Sequence, residues 1–133
     1  VQFGLNVANK KQLNYSHYAA QMKTVLEHLK QAFPNAGILL VGVGDREDRI
    51  NGELRTLPGI LALSRYQQNL AADCRVAFWN LLEGMGGEGS IRRMAEAKPA
   101  EAGKDYTHIN MHGGERVAKA LFKAIMHGYE QHR

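Results

Sequence analysis

The sequence predicts an α/β domain: a parallel sheet with helices packed on its faces. Three apolar runs ending at Gly4, Val43 and Leu81 read as strands, two amphipathic stretches of helix length separate them, and a third helix closes the chain. Neighbouring strands joined by helix-length crossovers lie parallel in one sheet. In such sheets chemistry gathers in the loops beyond the carboxyl ends of the strands. The stretches 4–9, 42–52 and 80–112 are therefore where a site is expected.

Val1-Gln2-Phe3-Gly4 reads as the end of a strand, followed by a polar loop over 5–11. A start on Val1 suits either a processed or trimmed chain, or a fold with an upstream part missing. Asn14 is a good N-cap for a helix reaching Phe33, since Tyr18, Met22, Val25, Leu26, Leu29 and Phe33 recur at spacings of three and four. Pro34-Asn35-Ala36-Gly37 stops it. The continuous apolar run Ile38 to Val43 suits a strand covered on both faces. The charged stretch Gly44 to Gly52 is expected to be a surface loop.

A second helix is predicted from Pro58 or Gly59 to Asp73, phased by Ile60, Leu63, Tyr66, Gln67 and Leu70. Val76 to Leu81 reads as another buried strand, with Trp79 in the core, and Gly84 to Ser90 as a glycine-dense loop. Ile91 to Ala95 forms a helical turn, and Lys98 to Lys104 a mobile connector. The last helix runs from Gly113 to Tyr129, with Val117, Leu121, Ile125 and Met126 on its apolar side.

Composition removes several classes. The chain has 133 residues, 44% hydrophobic and 23% charged, and a chain this long buries roughly two-thirds of its unfolded surface. It needs no disulfide, and one cysteine, Cys74, cannot form an internal one. No apolar run approaches the roughly 20 residues that cross a bilayer. Seventeen Lys and Arg against 13 acids leave a net charge of +4. The excess is spread thinly, with no basic stripe interleaved with aromatics, so no nucleic-acid partner is expected.

Asp105-Tyr106-Thr107-His108 precedes the last helix. An aspartate three residues before a histidine on a turn brings its carboxylate to Nδ1–H, fixing the tautomer and leaving Nε2 as a general base. The same residues suit an Asp N-cap and a solvated histidine, and spacing leaves both open. Gly4-Leu5-Asn6 ends the first strand: glycine permits close approach and the Asn amide suits an oxyanion donor, although Asn is also common in ordinary turns.

His108 and His112 are four apart, a metal-ligand spacing on a helix. Gly113-Gly114 makes that stretch a poor helix, so no metal is expected. His17, His28, His127 and His132 read as surface helix residues. Ser16 and Ser64 fall within helices, Ser90 reads as a helix N-cap, and Cys74 as a small buried thiol. The chain thus offers a base, an orienting acid and an oxyanion donor, without a serine set as a nucleophile. The glycine loop lacks the phosphate-cradling pattern.

Taken in order, these signals resemble the SGNH (GDSL-type) hydrolase family. Gly4-x-Asn6 looks like its third block and Asp105-x-x-His108 like its fifth. The stretch Phe78 to Ser90 is similar to peptidoglycan or polysaccharide O-acetylesterases of the family, and Asp105 to Ala118 to their closing helix. Val7 departs from the acidic residue that usually follows the asparagine, and the blocks carrying the nucleophile serine and the oxyanion glycine do not occur.

The resemblance implies residues 1–133 as a partial SGNH domain, with a three-layer, flavodoxin-like parallel sheet lacking its first strands. It implies a serine esterase acting on small acyl, chiefly acetyl, esters of carbohydrate. Asp105 and His108 would be catalytic, Asn6 an oxyanion donor and Gly4 a substrate contact; no cofactor is needed and the location is periplasmic or secreted. An open sheet edge would pair with the missing segment or another chain. The other readings are a non-catalytic SGNH-like module binding glycan or protein, and a metal-dependent hydrolase using Asp105, His108 and His112. The esterase reading requires Asn6 and His108 to open onto one cleft.

Overall fold

The computed structural model describes residues 1–131, so His132 lies outside the described residues. The elements are α1 (Ser16–Ala32), β1 (Leu39–Val41), β2 (Glu47–Ile50), β3 (Glu53–Thr56), α2 (Pro58–Cys74), β4 (Ala77–Trp79), α3 (Leu81–Met85), α4 (Ser90–Glu96) and α5 (Met111–Gln131). The fold is mixed α/β, with a small parallel sheet and helices around it.

Strands β1 and β4 pair in parallel, Leu39 opposite Ala77 and Val41 opposite Trp79, with α2 in the crossover. The segment 1–4 is not a regular strand, a correction to the expectation. Even so, Val1 N donates to Leu39 O (2.8 Å) and Val41 N to Val1 O (2.8 Å), one rung of a parallel ladder. All three stretches therefore finish at the same end of the molecule. β4 is only half-covered, with Ala77 exposed, rather than a buried strand.

Asn14 starts α1 by accepting a hydrogen bond from Ser16 N (2.9 Å), although the cap residue proper is Tyr15. The α1 face buries Met22 and Leu26, which pack with Leu40, Leu70, Ala71 and the Cys74 thiol; Val25 and Phe33 stay exposed. A second cluster joins Leu81, Met85, Ile91, Met94 and Ala102, with Val41, Trp79 and Val117 against it. Leu40 and Val41, successive residues of β1, thus feed different clusters, as alternation along a strand requires. The glycine-dense stretch is partly helical. Gly84 lies under Trp79, where a Cβ would come within 2.5 Å of the indole Cζ2.

Further expectations are corrected. The charged stretch is not a loop but the antiparallel hairpin β2–β3, turned at Asn51-Gly52 with φ of 53° and 84°, the signature of a type I′ turn. The connector makes specific contacts with the residues leading into α5: Asn110 Nδ2 donates to Ala100 O (2.7 Å), and Ala102 bridges Ile109. Ser90 does not act as a cap; Gly89 holds that position and the buried Ser90 Oγ has no hydrogen-bond partner. Helix α5 begins at Met111 and includes both glycines, while Ile125, expected on its buried side, is exposed.

Asp45 and Glu47, read as surface charges, are buried. Asp45 Oδ1 accepts from Thr56 Oγ1 (2.7 Å) and Oδ2 from Ile91 N (3.0 Å), and Thr56 Oγ1 in turn accepts from Gly89 N (2.9 Å). This carboxylate joins the hairpin to the start of α4. Asp45→Ala would strand a buried hydroxyl and a buried N–H, and is expected to cost about 3 kcal/mol in a denaturant titration. Asp45→Asn keeps an acceptor for Ile91 N but turns its NH2 toward Thr56, whose hydroxyl must then accept where it donated, so it should cost less than the alanine without being neutral. Equal losses would show that the hydrogen bonds are not what matters.

Candidate active site

Asn6 is positioned by a tight turn. Val7 N donates to Gly4 O (2.9 Å), and Gly4 has φ 127°, a conformation L side chains rarely adopt. Gly4 also makes room: a Cβ there would lie 3.2 Å from Gln67 Nε2, Leu63 Cδ2 and Tyr18 Oη. Its close approach is thus to the protein's own side chains. Arg46 Nη1 reaches Leu5 O and Ala8 O at 3.4 Å, holding the next residues of the loop.

The Asp105–His108 turn is wired by its own aspartate. Asp105 Oδ1 accepts from Thr107 N (3.0 Å) and His108 N (3.1 Å), while Oδ2 accepts from His108 Nδ1 at 2.7 Å. Tyr106 takes a positive φ of 53° between them. Both alternatives left open by the spacing are partly realised, because Asp105 caps the turn and orients the ring. It does not cap α5. Asn110 does, its Oδ1 accepting from Gly113 N (3.1 Å). The bonds from His108 and Thr107 hold the Asp105 carboxyl down at about 2, against an ordinary 3.8. An ionised Asp105 fixes the proton on Nδ1 and leaves Nε2 as the acceptor.

The hairpin carries this turn to the sheet end, since Glu47 N donates to Tyr106 O (3.0 Å). The Glu47 carboxylate is buried beside Arg92, with Nε 3.5 Å from Oε2. Burial pushes its pKa up, opposed mainly by Arg92.

Asn6 and His108 line one cavity of about 720 Å³, together with Gly4, Asp45 and Thr107. The four residues singled out by sequence are brought together: Gly4, Asn6 and His108 on the cavity wall, and Asp105 directly behind the imidazole. Apolar side chains, including Leu5, Met22 and Met85, make up much of the remaining wall. Among the described residues no serine or cysteine lines it. Ser64 and Ser90 are buried in helices, and Ser16 opens α1 on the surface. His112 lies on α5 whereas His108 precedes it, and among the described residues no group of three His, Cys, Asp or Glu is placed to hold a metal ion. Sequence reasoning missed Asp45 on this wall, though its place just after a strand, at Gly44-Asp45, was the available signal.

Compared with solved structures, the chain is similar to one of a peptidoglycan O-acetylesterase, with a TM-score of 0.85 at 19% identity. The match covers 98% of this chain and 37% of that one. At that identity the likeness shows the fold, and it extends over nearly every residue described above. This chain spans little more than a third of the neighbour's length. No family model and no curated protein matches it.

Proposed function

We propose that residues 1–133 form part of an SGNH-type serine esterase that removes acetyl or similar small acyl groups from carbohydrate, with the nucleophilic serine supplied from outside these residues. The observation that carries this reading is the pairing of an oriented imidazole with an amide donor on one cavity wall. In the assembled site the serine hydroxyl attacks the ester carbonyl while His108 Nε2 takes its proton. Asp105 stabilises the imidazolium. Asn6 donates to the oxyanion as it forms, and the Gly4 backbone borders the substrate on the cavity wall. The intermediate collapses to an acyl-serine as His108 gives its proton to the departing sugar oxygen, and water activated by His108 then hydrolyses that ester, releasing the acid and the free serine. No metal or organic cofactor enters.

The serine-bearing segment would pair along the outer edge of residues 1–3, completing the three-layer, flavodoxin-like arrangement. Phe3 is 63% exposed there, an apolar surface suited to being covered. A periplasmic or secreted location goes with this reading, because acylated wall and matrix carbohydrates lie outside the cytoplasm. The second reading, a glycan- or protein-binding module of the same fold, is favoured by the absence of a serine from the described cavity wall.

One experiment separates them. The protein carrying the upstream segment should hydrolyse p-nitrophenyl acetate, and should melt higher than residues 1–133 alone. Asn6→Ala should lower kcat by about 100- to 1,000-fold, the cost of losing one oxyanion donor. A folded, segment-bearing protein with no hydrolysis would favour the module. Full activity in Asn6→Ala would remove the oxyanion role.

A further inference from the structure

Gln67 lies in the middle of α2 and has no solvent exposure (0%). A carboxamide is buried at a cost unless its donors and acceptor are met. Here Nε2 donates to Phe3 O (2.8 Å) and to Tyr18 Oη (3.0 Å), while Oε1 accepts from Val43 N (2.8 Å). Tyr18 Oη itself donates to Phe3 O (2.9 Å).

The register gives these contacts their meaning. The rung between the first segment and β1 runs from Val41 N to Val1 O. Parallel ladders repeat every two residues, so the register continues with Phe3 N to Val41 O, a bond that is not formed, and then Val43 N to Phe3 O. Those are the two groups that Gln67 holds. Its carboxamide takes the place of that last bond, accepting from Val43 N and donating to Phe3 O, and so bridges the two segments where they part beside the cavity. Glycines flank the bridge: a Cβ on Gly42 would lie 3.6 Å from Oε1, and one on Gly4 3.2 Å from Nε2.

We propose that Gln67 is the positioning residue for Asn6, with Tyr18 as its brace. It fixes where the Phe3 carbonyl sits, hence where the Gly4–Val7 turn begins and where the Asn6 amide points. The catalytic part of this inference rests on the esterase reading; the hold on the turn does not.

Gln67→Glu preserves shape and the acceptor for Val43 N, but its carboxylate has nothing to donate to Phe3 O. In the segment-bearing enzyme it should lower kcat about 30-fold, leaving KM within about twofold. Asn6→Ala/Gln67→Glu should be no slower than Asn6→Ala beyond about twofold, because the two changes act through one amide. By hydrogen exchange, the Val7 amide should open about tenfold faster in Gln67→Glu, with α5 unaffected. Tyr18→Phe, which leaves the Gln67 bonds to Phe3 and Val43 in place, should move kcat and Val7 exchange the same way by about threefold, and serves if Gln67→Glu folds poorly. Unchanged Val7 exchange overturns the proposal, as does a kcat loss that multiplies with that of Asn6→Ala. An inactive wild type whose Val7 amide still responds to Gln67→Glu sinks the esterase reading alone.

Discussion

His108→Ala in the segment-bearing enzyme should lower kcat for acetyl-ester hydrolysis by at least about 10⁴-fold, and Asp105→Asn by about 10⁴-fold. The first removes the proton acceptor. The second keeps the turn's shape but offers Nδ1 an amide in place of a carboxylate, so the ring can settle in the wrong tautomer. The 2.7 Å contact is the geometry at stake. The pH profile should carry the same signature. Asp105 is depressed to about 2, so the carboxylate stays ionised throughout an ordinary assay range, and its own protonation should contribute no acid limb there. The sign for stability agrees. A depressed carboxyl contributes above its unfolded value of 3.8, and that contribution is lost as pH falls through about 2. The contribution is small, because the Asp105 and His108 side chains are 52% and 72% exposed. An acid limb in the assay range that Asp105→Asn abolishes, or Asp105→Asn at wild-type rate, would refute the division of labour between these residues.

Two adjacent glycines in α5 give the largest expected contrast in stability. A Cβ on Gly113 would run into the Glu101 carbonyl oxygen and lie 3.0 Å from Met94 Cε, whereas one on Gly114 meets nothing within 4 Å. Gly113→Ala must push the helix away from a backbone segment that cannot swing aside. That should cost about 3 kcal/mol, or roughly 10 °C in Tm. Gly114→Ala should be neutral to stabilising by up to about 1 kcal/mol, since alanine outranks glycine in a helix interior. Calorimetry on the pair checks both, and similar melting temperatures would mean that the helix start is not seated as described. The contact also ties α5 to the site, since the connector it presses on leads directly into Asp105.

The contrast shows what sequence could and could not convey. Periodicity located α1, α2 and the two paired strands to within a few residues, because their apolar faces are set by burial against one another. The Asp105–His108 spacing offers the contact without deciding it, because a turn aspartate can serve the backbone N–H groups or the ring, and here its two oxygens do both. Propensity marks Gly113-Gly114 as weak helix, whereas close packing against Glu101 decides Gly113. The hairpin was hidden by its charges, although Asn51-Gly52 is a strong turn signal; Asp45 and Glu47 are buried because Thr56, Ile91 N–H and Arg92 receive them, partners that local sequence does not display. Gln67 fell on the correct helix face, but periodicity says where a side chain goes and not what it bonds there.

The seating of Trp79 over Gly84 has a practical corollary. Trp79 is the only tryptophan in the chain, and it touches the short helix whose Leu81 and Met85 floor the cavity. Its fluorescence therefore reports on that floor without any label. A red shift at constant circular dichroism would mark local opening beside the cavity, and a shift concurrent with loss of ellipticity would mark collapse of the whole molecule.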